Sequence, residues 1–183
     1  MSGLGAVAGL AILLGWVVFA LLGWVASPVL AAGLGAVAGT GAVVFFRDSV
    51  AVSGAMALLA PIGVMLPALA LRHAAAKLGV PVVAFETWEL AAFLLFYTVF
   101  LAAAFGVVPV DIYRLGYAPL PVAVMVLAVC AYGFVTGNWF LPLVAVLGQA
   151  LWVAGWGSSN WFDHVLHAVL WPAAVVVLAA RLL

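Results

Sequence analysis

Charge is what this sequence has least of. Only 5% of its 183 residues are charged, five acidic and five basic, and the formal net charge is zero. A water-soluble domain carries about 25% charged residues, so there is too little charge to cover a globule in water, and that class is excluded. Five scattered cations make no basic stripe, which excludes a nucleic-acid partner. A lone cysteine, Cys130, excludes a disulfide framework. No segment alternates polar and apolar residues at period two, which argues against a strand barrel. What is present is apolar. Hydrophobic residues make up 70% of the chain and the mean hydropathy is +1.44. That excludes disorder and leaves an integral membrane protein, all-α, built almost wholly of membrane segments.

A spanning helix needs about 20 apolar residues to cross about 30 Å of hydrocarbon. No charge precedes Arg47 and none falls between Arg114 and Asp163, so each of these stretches holds two passes joined by a tight turn. Ala26-Ser27-Pro28 and Thr136-Gly137-Asn138 supply the turn chemistry. The resulting expectation is a single polytopic helical bundle of about seven spans, with six the alternative count. They cover about 4–25, 28–46, 50–71, 88–108, 117–136, 139–156 and 163–181. Helices satisfy their own backbone, as a bilayer requires.

Aromatic placement agrees with this topology. Trp24, Trp88 and Trp139 fall at span ends on one side, and Phe45, Phe46, Tyr113, Tyr117 and Trp161 at ends on the other. Trp16 and Trp171 fall mid-span and are expected to fill helix–helix contacts. Arg72, Lys77 and Arg181 on the C-terminal side outnumber Arg47 and Arg114, a count that puts the N-terminus outside. The first apolar run is too long for a cleavable signal peptide and lacks a basic flank. The heptapeptide Gly-Leu-Gly-Ala-Val-Ala-Gly occurs at 3–9 and again at 33–39. Gly5 and Gly9, and Gly35 and Gly39, offer flat faces on which the first two spans can pack, against each other or against another protomer. Compositional drift in an Ala/Val/Gly-rich chain is the alternative.

Ionisable groups within membrane segments are costly and are functional candidates by default. Asp163, His164 and His167 open the last span, where Asp163 and His167 are i, i+4 and share a helix face. Such a carboxylate–imidazole group can orient a proton carrier or begin a metal site; alternatively Asp163 caps the helix and the histidines are interfacial. Metal binding needs three or four ligands. This topology puts His73 at the other face, whereas Asp111 is able to join His164 and His167. No metal or other cofactor is expected, and these two histidines are the nearest candidates. Glu86 and Glu89 open the fourth span, where they complement the helix dipole; Glu89 lies deeper and is a candidate to line a vestibule. Asp111 and Arg114 read as a local ion pair that fixes a loop. Thr98 and Gln149 add hydrogen-bonding groups inside spans, while Cys130 reads as an inert small hydrophobe. The only lysine, Lys77, is in a loop, which excludes a retinal Schiff base. No phosphate loop, nucleophile elbow or metalloprotease motif occurs.

Residues 94–152 carry Phe96-Tyr97-Thr98, Asp111, Gly116-Tyr117, Gly137-Asn138-Trp139-Phe140 and Leu151-Trp152. In spacing this stretch resembles the amide/urea channel family of the AmiS/UreI type. Tyr117 stands where that family has Trp, and Asn138 where it has Asp. The resemblance implies an oligomeric channel for small neutral amides, with Phe96, Tyr97 and Trp152 among the pore residues. The rival resemblance lies in Asp163 to His167, which looks like the last helix of the CREST-type seven-helix membrane hydrolases. That family holds zinc with a His pair and a third His, and the third has no counterpart in the first two spans here.

The leading expectation is therefore a channel or permease for small neutral, urea- or amide-like solutes, more a transporter than an enzyme. Its pore or ligand-lining candidates are Phe96, Tyr97, Thr98, Gln149, Trp152 and Glu89. A polar cluster of Asp111, Arg114, Asp163, His164 and His167 is expected at one face. The alternatives are a CREST-like hydrolase or a degenerate relative of one, and an accessory subunit of a larger membrane complex. The expected partners are the lipid bilayer, a small solute, and either copies of the chain or other subunits. The expected location is a prokaryotic cytoplasmic membrane.

Overall fold

The computed structural model describes residues 3–183, and all regular structure among them is helical. The helices are α1 (Gly3–Leu22), α2 (Pro28–Phe45), α3 (Val50–Leu59), α4 (Met65–Lys77) and α5 (Thr87–Ala104). After a short 3₁₀ turn (Tyr113–Tyr117) come α6 (Pro119–Thr136), α7 (Phe140–Val153), α8 (Trp161–Val165) and α9 (Leu170–Leu182). Local chemistry sets their ends. Ser27 and Ser49 accept from Leu30 N (3.4 Å) and Val52 N (3.2 Å) at the starts of α2 and α3. Glu86 and Glu89 form a reciprocal capping box on α5, and Gly137, in the left-handed region at φ 69°, stops α6.

Four helices, α1, α2, α5 and α6, are long and apolar enough to cross a membrane. Their outward side chains agree: Leu21, Leu120, Leu127 and Val135 are well exposed, an exterior suited to lipid and not to water. The expected spans at 50–71, 139–156 and 163–181 contain only shorter helices. Two of these segments are interrupted, at Ala60–Val64 and at Leu166–Val169. Proline accounts for both breaks. A proline ring clashes with the carbonyl four residues upstream and lacks the N–H that would bond to it. Pro67 therefore bars α4 from extending back through Gly63, and Pro172 bars α9 from extending back through Ala168. Ala60, ahead of Pro61, is extended (φ −80°, ψ 140°), and so is Leu166 (φ −92°, ψ 157°).

The hydrophobic interior is divided. Leu10, Val43 and Val52 form one buried cluster from α1, α2 and α3. Val122, Val144, Ala145, Trp161, Phe162 and Val165 form another from α6, α7 and α8. The α1–α2 hairpin is in backbone contact: a Cβ on Gly15 would stand 2.8 Å from Gly35 O, and one on Gly39 would strike Ala11 O and the Gly15 backbone. So the second copy of the heptapeptide packs within the chain, with Gly35 and Gly39 against Gly15. In the first copy Gly9 meets Ile62, and Gly5 meets nothing. Trp16 and Trp171 do fill interhelical contacts, donating to His73 Nδ1 (3.0 Å) and Thr98 Oγ1 (2.8 Å). Gly39→Leu is expected to cost about 1–3 kcal/mol or more through overpacking, while Gly5→Leu stays near zero. Thermal unfolding of the purified protein in detergent measures both.

Candidate functional site

The short helix α8 carries the densest polar cluster. The turn before it uses Gly155 and Gly157 at positive φ (67° and 92°), conformations open to glycine, and ends at Asn160, which is fully buried. Asn160 Oδ1 accepts from Phe162 N (2.9 Å) and caps α8, while its Nδ2 donates to Tyr113 O (2.8 Å). That second bond ties α8 to the 3₁₀ turn. Gly116 permits the approach, since a Cβ there would collide with the Asn160 amide and come within 2.7 Å of the Phe162 ring.

With the turn held this way, Tyr113 OH donates to both carboxylate oxygens of Asp163 (2.8 and 2.7 Å) and Ser158 OH donates to Oδ2 (2.6 Å). Ser158 Oγ also accepts from Asn160 N (3.0 Å). His164 Nε2–H donates to Ser158 O (2.8 Å), which places the ring proton on Nε2. Burial, reinforced by the hydrogen bond to Asp163, pushes the Tyr113 phenol above its ordinary value. An open depression of about 630 Å³ between the end of α5 and the 3₁₀ turn, lined by Gly106, Pro109 and Asp111, borders this cluster at Tyr113.

His167 belongs to a different arrangement. Because α8 ends at Val165, Asp163 and His167 do not share one helix face as their spacing had led us to expect. His167 Nε2–H donates to Leu59 O (3.1 Å) at the end of α3, and its Nδ1 accepts from Val169 N (3.1 Å) at the start of α9. Both ring nitrogens are engaged, which leaves no lone pair for a metal. Among the described residues no three His, Cys, Asp or Glu side chains lie close enough to hold a metal ion. Asp111 does not complete a ligand set with His164 and His167, and its expected ion pair with Arg114 is not formed. Instead Asp111 Oδ1 accepts from the Arg114 backbone N–H (3.0 Å). Among the described residues the one ion pair is the exposed Arg47–Asp48 (3.8 Å).

The remaining candidates are dispersed. Tyr97 is buried between Phe93 and Phe100. Phe96, one residue back and about 100° around the helix, is 73% exposed on the exterior. Thr98 bonds to Leu94 O and Trp171. Trp152 Nε1 donates to Ser159 O (2.7 Å) and so steadies the turn before α8. Gln149 keeps a buried Oε1 without a partner. Glu89 accepts from Tyr132 OH at the other end of the bundle. There Arg72 stacks on Phe85 (4.4 Å) and Phe140 (5.3 Å), and Arg181 donates to Phe85 O (2.6 Å).

Reading the sequence missed Tyr113, Ser158 and Asn160 as members of the cluster. The one available signal was Ser-Ser-Asn ahead of an apolar helix start, a cap pattern. Compared with known proteins, the chain matches no family model, no curated protein and no solved structure.

The raised phenol sets a pH dependence. Tyr113 contributes stability that is fully present below its ordinary value of 10.0 and lost as pH rises towards its folded-state value. The wild type is therefore expected to lose more thermal stability above that pH than Tyr113→Phe does, in melts followed across alkaline buffers.

Proposed function

We propose that this chain is a membrane transport protein, a channel or permease that crosses the bilayer seven times and passes small neutral solutes of the urea and amide kind. The interrupted segments α3–α4 and α8–α9 complete the crossings in this reading. From the end of α3 to the end of α4, and from the end of α8 to the end of α9, the chain is long enough to reach the face that bears Lys77 and Arg181. The observation that carries the reading is the cluster around α8. It gathers Asp163, Tyr113, Ser158, Asn160 and His164, and among the described residues no cation pairs with the carboxylate. Such a set offers hydrogen-bonding groups that orient a solute. The depression beside Tyr113 supplies an approach from the face bearing Asp111. Phe96 on the exterior supports a contact with lipid or with another copy of the chain, not a pore position within one protomer.

Light-scattering assays on proteoliposomes under gradients of urea, acetamide and formamide test this directly. Uptake faster than in empty vesicles is expected, and rates equal to empty vesicles end the proposal. Trp152→Ala, which frees Ser159 O and loosens the turn before α8, is expected to slow uptake about fivefold, the effect of one net hydrogen bond.

A further inference from the structure

The two interrupted helices correspond to one another. Each is the third segment after a helical hairpin, α3–α4 following α1–α2 and α8–α9 following α6–α7. Their second halves open on the same pattern, Val-x-x-Pro-Ala, at Val64–Ala68 and at Val169–Ala173. Both second halves are 13 residues long and carry a basic residue, Lys77 or Arg181, in the last turn. At about 1.5 Å per residue the two breaks stand at one depth, about 20 Å from the end bearing those cations.

At that depth the breaks meet. Val64 N–H donates to His164 O (2.7 Å), and His167 Nε2–H donates back to Leu59 O (3.1 Å). Gly63 lies so close that a Cβ would stand 2.8 Å from Leu166 O and 2.9 Å from Val165 O. An independent feature lies alongside. Trp161 Nε1, in a residue only 5% exposed, has no hydrogen-bond partner. It and His164 O are each 3.7 Å from the point a Cβ on Gly148 would occupy, so the orphan donor and the junction's own acceptor both border that glycine. A buried donor left unmade is costly, and such groups call for a partner.

We infer that the junction of the two interrupted helices is the binding point for the transported solute, an uncharged molecule carrying both a carbonyl acceptor and N–H donors. The inference rests on the transport reading above and adds its location. Such a solute inserts into the Val64–His164 bond. Its carbonyl accepts from Val64 N–H and from the otherwise idle Trp161 Nε1–H, and one of its N–H groups donates to His164 O, while the His167–Leu59 O bond stays and holds the two breaks together. Exchange of like bonds leaves binding weak enough for release, which conduction requires. No charged side chain contributes to the exchange, so an ion would be desolvated without compensation. Interrupted helices paired at mid-depth are a recurrent way for membrane transporters to present backbone groups to a solute.

Two measurements on the full chain decide the matter. In proteoliposomes, His167→Leu is expected to slow acetamide and urea uptake about tenfold, whereas His167→Gln, which keeps an N–H for Leu59 O, stays within about threefold of wild type. In the unmodified protein, saturating acetamide is expected to slow hydrogen exchange in peptides covering 60–66 and 164–169, and to leave the α1–α2 hairpin unchanged. Wild-type uptake with both variants unaffected, or exchange at the two breaks insensitive to acetamide, overturns the site and leaves transport standing. Wild-type uptake equal to empty vesicles overturns both.

Discussion

Hydrocarbon offers no hydrogen bonds, so every backbone N–H and C=O placed within it must find a partner in the protein. The same demand falls on any buried backbone group, and two prolines create such groups here. Pro67 and Pro172 each cut a segment that would otherwise have run as one helix. The groups freed at the two breaks meet one another. There a backbone N–H from one segment and an imidazole from the other close reciprocal bonds, Val64 to His164 O and His167 to Leu59 O. Much of the remaining architecture serves this meeting. The α1–α2 hairpin supports α3 and α4 on one side, and α6 and α7 support α8 on the other.

Packing in the two halves rests on different means. In the first, glycines remove side chains so that backbones touch, as Gly15, Gly35 and Gly39 do; in lipid this is an effective route to helix association because hydrophobicity favours no partner. In the second, aromatic residues fill the space. Phe100, Tyr113, Trp161 and Phe162 pack around α8 and carry its polar groups into the interior. Asp163 remains there without a cation because two hydroxyls donate to it. The close backbone packing therefore lies in the first half and the densest polar cluster in the second.

The expected candidates fared according to how local their interactions are. Glu86 and Glu89 cap a helix, as carboxylates in a first turn do, and the outcome was legible at i, i+3. Trp24, Trp88 and Trp139 remain exposed near helix ends, where interfacial anchors belong. Asp163 and His167 looked paired because i, i+4 spacing assumes an unbroken helix, and the break at Leu166 sent one towards Tyr113 and the other towards Leu59. Phe96, Tyr97 and Thr98 were grouped as neighbours in sequence. Helical rotation then separated them into an exterior ring, a buried ring and a partner for Trp171.

Composition alone determined the helical class and a chain made for a low-dielectric surround, because 5% charge cannot coat a soluble surface and hydropathy needs no geometry to be read. Serine, asparagine and glycine likewise announced many of the helix ends, since caps are satisfied within a few residues. The association of Leu59 with His167, of Tyr113 with Asp163, and of Arg181 with Phe85 came only with the tertiary structure. Each joins residues far apart in the chain, and no local periodicity encodes which distant partner a buried polar group will find.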